Sequence, residues 1–270
     1  MEQGAVRYTF GWDLCHSCNY RCPYCGVWKD NPDKEPRLTA AEWDAIWTRI
    51  YDSYGSCHIY MSGGEPSVYP YFYELVERLC AKHTVEICTN LSWKVERLIP
   101  AIPPTRLRVA PTFHPSQASF EEFFGKAIKI KEYLPNSQVY YVAYSGQQTQ
   151  EMPQRSAMFK EYGINLIPYP LRGDQVVLNT EEEERIIREV SPYTGDKIEY
   201  QLKKFSPKGK RCRAGQYYAV IRTDGSVDRC SQYHTGEVGN FFDKDFTLFP
   251  QARPCEKEYC PIESQWIIDE

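Results

Sequence analysis

Six short apolar runs, each followed by a segment of helical character, recur between residues 6 and 190. No other feature of the chain restricts its fold as strongly. Val6 to Leu14, Cys57 to Met61, Thr84 to Cys88, Arg106 to Ala110, Val139 to Tyr144 and Ile164 to Ile167 read as strands. Thr39 with Glu42, Ser119 with Glu122 and Thr180 with Glu183 mark helix starts as capping boxes. Helices are expected from Thr39, with Ala41, Ala45, Ile46 and Ile50 at helical spacing, and over Tyr71–Cys80, Ser92–Ile99, Ser119–Tyr133, Met152–Tyr162 and Thr180–Val190. Strands alternating with helices build parallel sheets through right-handed crossovers. Six units fall short of the eight in a closed barrel of about 250 residues, so an open α/β partial barrel of (β/α)6 type is expected. Its reactive rim should be the C-terminal ends of the strands.

Past about Pro192 the rhythm stops. Lys197 to Arg211 is polar and basic and reads as a linker. Tyr217–Ile221 and Ser226–Arg229 flank Thr223-Asp224-Gly225, a hairpin turn. The chain divides on this reading into a barrel, residues 1–200, and a small C-terminal domain, residues 201–270. The latter is too small for much core of its own, and metal ligation could supply the missing stability.

The 270 residues are 42% hydrophobic and 25% charged, enough to bury a sizeable core. A net charge of −4 disfavours a broad nucleic-acid footprint. No apolar run reaches the roughly 18 residues of a membrane span, and the start lacks the pattern of a signal peptide. A cytoplasmic protein is expected. In that compartment eleven cysteines point to metal binding or catalysis rather than disulfides.

The cysteines are grouped. Cys18, Cys22 and Cys25 form C-x3-C-x2-C. Three thiolates can hold three irons of a four-iron cluster, which takes four ligands, and leave one iron open for chemistry. A zinc knuckle completed by His16 or Cys15 is the alternative. The second strand runs into Gly63-Gly64-Glu65-Pro66 on the same rim. Cys57, Cys80 and Cys88 read as core residues, and Cys15 as the end of the first strand. Thr89-Asn90 ends the third strand, as either a cofactor contact or a turn. His114 ends the fourth, as either a polar substrate contact or a loop residue. Arg172, in Leu171-Arg172-Gly173-Asp174 after the sixth, could bind a carboxylate or phosphate or be a surface residue.

These motifs resemble the radical S-adenosylmethionine (radical SAM) enzymes. Cys18, Cys22, Tyr24 and Cys25 match that family's C-x3-C-x-aromatic-C motif, and Gly63 to Pro66 its GGEP element. The resemblance covers roughly residues 6 to 190. It implies a [4Fe-4S] cluster on Cys18, Cys22 and Cys25, and S-adenosylmethionine on Tyr24, Gly63, Gly64, Glu65, Pro66 and Asn90. It also implies an electron donor such as flavodoxin or ferredoxin. In the family, the cluster reductively cleaves S-adenosylmethionine, and the 5′-deoxyadenosyl radical takes a hydrogen atom from the substrate. On this reading His114 and Arg172 are candidate substrate contacts.

The late group, Cys212-x2-Gly215-x5-Ile221-x2-Asp224-Gly225-x-Val227-x2-Cys230, resembles the opening of SPASM and Twitch domains. Cys255 and Cys260 would complete four ligands for a second, auxiliary [4Fe-4S] cluster, which suits the shorter Twitch type. Their C-x4-C spacing departs from the closer pair common in such domains. A zinc-stapled hairpin is the alternative. The expected reaction is an oxidative dehydrogenation or cross-linking of a small molecule or peptide in a biosynthetic pathway. A redox-neutral epimerase, isomerase or cyclase, and a non-catalytic iron–sulfur or zinc module, are the alternatives. With the barrel starting within about ten residues of Met1, a small molecule is favoured, unless a separate protein binds a peptide leader.

Overall fold

The structure, a computed structural model, describes residues 7–27, 37–135, 138–143, 146–170, 180–202, 204, 206–260 and 263–268. Strands β1 (Thr9–Cys15), β2 (His58–Gly63), β3 (Thr84–Thr89), β4 (Leu107–Phe113), β5 (Val139–Ala143) and β6 (Leu166–Pro170) lie side by side in chain order, all parallel. Helices α1 (Ala40–Tyr54), α2 (Phe72–Cys80), α3 (Phe120–Tyr133), α4 (Gly146–Lys160) and α5 (Glu181–Val190) supply five of the crossovers and flanks. This is the expected partial α/β barrel.

Local sequence accounts for the helix starts. Thr39 and Thr180 form complete capping boxes with Glu42 and Glu183. Ser119 accepts from the Glu122 N–H, but the reciprocal bond is absent because the Glu122 carboxylate takes Lys126 instead, at 2.7 Å. Three expectations change in extent. The segment expected as a helix over residues 92–99 contains only a 3-10 turn, Val95–Arg97. Asn90 first folds back on the Ser92 N–H, Leu91 takes φ +60°, and Pro100 follows Ile99, where a pre-proline residue resists the helical region. Helix α4 begins six residues earlier than its apolar period, because its first turns are built of Gln147, Gln148 and Gln150 and carry no hydrophobic pattern. The expected linker holds a further helix, α6 (Asp196–Gln201), anchored by buried Ile198 next to buried Leu202.

Residues 211–254 add β7 (Arg211–Cys212), β8 (Tyr218–Ile221), β9 (Ser226–Asp228), β10 (Gly239–Asn240) and β11 (Arg253–Pro254). Strand β8 lies parallel beside β1, Thr9 opposite Tyr218 and Trp12 opposite Ile221, with β9 and β10 continuing antiparallel. The hairpin therefore lengthens the barrel's own sheet. Ala219, Ile221, Val227 and Phe241 belong to the same core as β1–β3. A smaller cluster gathers Cys212, Ala214, Tyr218, Val220, Cys230 and Tyr233.

Alternate residues of each strand face the helices. Phe10, Trp12, Ile59, Met61, Val85 and Ile87 are fully buried there. Trp12 meets Trp43 at 4.7 Å and Trp47 at 5.4 Å between ring centroids, pairs worth about 0.5–1.5 kcal/mol each beyond burial. The other, concave face carries polar residues instead: His58, Tyr60, Glu86 and Cys88. No helix among the described residues is long and apolar enough to cross a membrane.

Candidate active site

Strand β1 ends at Cys15, and the next twelve residues carry Cys18, Cys22 and Cys25. The loop is held from three other strands. From the loop after β4, Gln117 accepts from the Arg21 N–H at 3.0 Å, and His114 Nδ1 lies 3.0 Å from the Tyr24 hydroxyl. From the end of β3, Asn90 Nδ2 donates to Asn19 Oδ1 at 2.9 Å. From the end of β2, the Gly64 and Glu65 N–H groups donate to the carbonyls of Cys15 and Ser17, at 2.6 and 2.9 Å.

This last contact explains Gly63-Gly64. A Cβ on Gly64 would lie 2.1 Å from the Ser17 carbonyl oxygen, and one on Gly63, where φ is +112°, 2.3 Å from that of Cys15. Both glycines are required by the close approach of two protein backbones, before any ligand is considered. The segment welds the exit of β2 to the root of the cysteine loop.

Glu65 is 1% exposed. Its Oε1 accepts from the Thr89 hydroxyl at 2.8 Å and the Ser67 N–H at 3.2 Å, and its Oε2 from the Asn90 N–H at 2.8 Å. A carboxylate offers about four acceptor sites, so one remains, on Oε2. Burial pushes the Glu65 carboxyl up, and the hydrogen bonds from Ser67, Asn90 and Thr89 pull against it. Pro66 is buried and starts a 3-10 turn, Pro66–Val68, capped by Glu65. Asn90 thus joins the cradle to the cysteine loop, with its N–H on Glu65 and its side chain on Asn19.

The donor set bears on which metal fits. Among the described residues no three His, Cys, Asp or Glu side chains converge as ligands of one ion. The two candidates to complete a zinc knuckle are placed elsewhere. Cys15 is buried with its Sγ 3.6 Å from the Ser17 carbonyl and 3.8 Å from that of Glu65. His16 Nε2 lies 3.4 Å from the Thr223 hydroxyl. Three thiols spread along one loop suit a cluster better than a single tetrahedral ion. Burial pushes the Cys18 and Cys22 thiols up, and neighbouring thiolates add to it.

His114 packs against the loop rather than standing free: its ring stacks on Tyr24 and sits edge-on to Tyr20, and burial lowers its pKa to about 4. Arg172 lies outside the described residues. Cys57 and Cys80 are core thiols, both raised to about 12 by burial. Cys88 is not in the helix-facing core; it stands half-buried on the concave face.

Backbone pairing ties the segments that carry Cys212 and Cys255. Cys212 in β7 is opposite Arg253 in β11, and the Cys255 N–H donates to Lys210. Arg229, next to Cys230, reaches the carbonyls of Pro254 and Arg253 at 2.9 and 3.0 Å. Cys212, Cys230 and Cys260 are buried and Cys255 half-buried.

One feature had no sequence signal. Arg222, at the end of β8, donates to Asp13 at 3.1 Å, to Asp228 at 2.7 Å and to the Tyr233 carbonyl at 2.7 Å. It bolts the tail to the strand that leads into the cysteine loop. Only the parallel pairing of β8 with β1 brings these residues, 209 apart in sequence, together.

Comparison with known proteins agrees with this geometry. The Radical SAM superfamily model matches residues 13–139. Among curated proteins none matches the chain. Streptococcus suis SuiB bound to S-adenosylmethionine is similar in structure, with a TM-score of 0.59 and 14% identity, covering 89% of this chain and 67% of SuiB. SuiB bound to precursor peptide SuiA gives 0.61 and 14%, covering 89% of this chain and 64% of SuiB. The chain thus spans about two thirds of SuiB's length. The protein anSMEcpe with bound AdoMet and Cp18Cys peptide gives 0.60 and 15%, covering 88% of this chain and 77% of that one. The cysteine loop and the Gly-Gly-Glu-Pro segment both lie inside residues 13–139, the stretch that matches the Radical SAM superfamily model.

Proposed function

We propose that this chain reductively cleaves S-adenosylmethionine and removes a hydrogen atom from an unactivated carbon, giving an oxidised small-molecule or peptide product. The carrying observation is the bonded chain from Asn19 through Asn90 to Glu65, which fixes the three-cysteine loop against the cradle. Cys18, Cys22 and Cys25 would hold a [4Fe-4S] cluster, with Tyr24 against it. The cluster, when bound, supplies the electron that breaks the sulfonium carbon–sulfur bond and so releases the hydrogen-abstracting 5′-deoxyadenosyl radical. Glu65 would accept the methionine ammonium on its remaining Oε2 site. Thr89 and Asn90 hold that carboxylate aimed. Gly63 and Gly64 keep the cradle seated on the loop.

Cys212, Cys230, Cys255 and Cys260 would hold an auxiliary cluster, supported by the β7–β11 pairing beneath them. A fully ligated cluster would serve to accept an electron from the product radical. SuiB and anSMEcpe, which carry bound peptides, support a peptide alongside a small molecule as substrate. The test is anaerobic turnover of candidate substrates, read as 5′-deoxyadenosine and product mass. The Cys18→Ala, Cys22→Ala, Cys25→Ala triple variant should form no 5′-deoxyadenosine. Undiminished formation would sink the reading.

A further inference from the structure

The hydroxyl of Thr89, at the end of β3, is filled on every side. Its oxygen accepts from the Leu91 N–H at 3.1 Å and from the Trp93 indole N–H at 2.8 Å, and its proton goes to Glu65 Oε1 at 2.8 Å. A threonine hydroxyl has one proton and two acceptor sites, and an indole nitrogen only donates. Both acceptor sites are therefore occupied, and the proton has Glu65 as its acceptor. Thr89 is 3% exposed, so bulk water does not compete for that proton.

The Glu65 carboxylate is committed in turn. Oε1 takes the Thr89 hydroxyl and the Ser67 N–H, which fills it, and Oε2 takes the Asn90 N–H. The position of the one remaining acceptor site, on Oε2, thus depends on where Thr89 sends its proton. Without the indole, one acceptor site on Thr89 opens and its hydroxyl is free to turn. Oε1 then loses the shorter of its two hydrogen bonds, and the carboxylate can rotate.

The indole is built into this place. Its ring stands edge-on to Phe72 and Tyr73 of α2, with centroids 4.9 and 6.0 Å apart. Leu91, which lies between Thr89 and Trp93, is 1% exposed and takes φ +60°, alone among the described residues other than glycine in being left-handed. A leucine rarely takes that conformation, and such positions persist where the surroundings fix them. The turn lets a residue four places beyond Thr89 reach back to its hydroxyl.

We propose that Trp93 is a positioning residue for S-adenosylmethionine: by occupying the Thr89 hydroxyl it aims the Glu65 carboxylate, whose open Oε2 site takes the methionine ammonium. Trp93 acts through Thr89 and makes no hydrogen bond to Glu65 itself. This deepens the radical reading and rests on it. Groups that bind a ligand hold their aim when the residues behind them are themselves locked by packing and hydrogen bonds, and Trp93 supplies both.

The test is a double-substitution cycle read as S-adenosylmethionine affinity, by equilibrium dialysis of the full chain with its clusters reconstituted. Urea unfolding of each apo variant reports that the fold is kept. Trp93→Phe keeps an aromatic ring and removes the N–H, and should weaken binding about three- to tenfold, the worth of one hydrogen bond. Thr89→Val should weaken it at least as much. In the Thr89→Val background Trp93→Phe should add less than about twofold, because the indole has no hydroxyl left to hold. Should Thr89→Val fail to fold, Glu65→Gln takes its place in the cycle with the same expectation, and Trp93→Tyr replaces Trp93→Phe if that variant fails. A ring that only packs would give the same factor in both backgrounds, and that result, or unchanged affinity in Trp93→Phe, overturns the positioning role alone. Wild-type protein that binds no S-adenosylmethionine would overturn the cradle and the positioning role together.

Discussion

Gly64→Ala isolates the weld between β2 and the cysteine loop. The added methyl would sit 2.1 Å from the Ser17 carbonyl oxygen and 2.7 Å from that of His16. Both are backbone atoms, so no side chain can swing away and the loop itself must move. Overpacking of this kind costs about 1–3 kcal/mol. Displacing the loop also loosens the bonds from Gly64 to Cys15 and from Glu65 to Ser17, at about 1 kcal/mol each. A total of about 3–5 kcal/mol follows, a large part of the 5–15 kcal/mol typical of a whole domain. Urea unfolding of the apo protein measures it without S-adenosylmethionine, so crowding of a ligand cannot contribute. Iron content after reconstitution should fall as well, because the loop that would bind it has shifted. Gly125→Ala is the internal control: it lies in α3 with nothing within 4 Å of its Cβ, and it should stabilise by about 0.5–1 kcal/mol. A Gly64→Ala protein within about 0.5 kcal/mol of wild type, with full iron loading, would refute the argument.

Glu65→Gln keeps the shape but turns an amide N–H₂ toward either Asn90 or Thr89 and Ser67, so it should cost about 1.5–3 kcal/mol in apo-protein unfolding. S-adenosylmethionine affinity should fall by about one to two decades; unchanged binding would show that Oε2 does not meet the ligand. His83 is fully buried and neutral, its Nδ1 accepting from the Cys57 N–H, and burial lowers its pKa from 6.5 to about 4. Its stabilisation is complete above the unfolded pKa and drains as pH falls toward the folded one. Wild type should lose about 2 kcal/mol between pH 7 and about pH 5, and a His83→Gln variant with the same slope would rule this out. Cys212→Ala with Cys230→Ala should cut iron from about eight to about four per chain; an unchanged count would remove the auxiliary cluster. Arg222→Met leaves Asp228, 1% exposed, without its cation, and should cost about 3–5 kcal/mol, with a denaturation midpoint near wild type as the refuting result.

The parts of this protein legible in sequence are those with local causes. Thr39 and Thr180 announce their helices because a capping box closes within four residues. The β1 and β2 exits are legible because three cysteines at fixed spacing, and two glycines before Glu-Pro, are rare together. The reason for the glycines was not legible, since it lies in the Cys15–Ser17 carbonyls almost fifty residues away. The same holds for Asn90: a turn residue and a cofactor contact look alike in sequence. The fold shows it bridging Glu65 and Asn19 while it also makes its turn with Ser92.

Sheet register also sets how the two cysteine groups relate. Strand β1 leads into the first group, and β8, locked beside it over four residue pairs, leads through the Thr223-Asp224-Gly225 turn and β9 to Cys230. Asp13, two residues before the end of β1, pairs with Arg222, the residue that follows β8. Arg222 continues to Asp228, whose other oxygen accepts the N–H groups of Thr235 and Gly236. A loop-borne tail could drift relative to the barrel, because loops with few buried contacts open readily. This tail shares a strand ladder, an apolar core and a half-buried arginine with the barrel, so the separation of the two cysteine groups is fixed by β-sheet geometry. On the proposed reading, in which both groups hold clusters, that fixed separation would suit electron transfer between them.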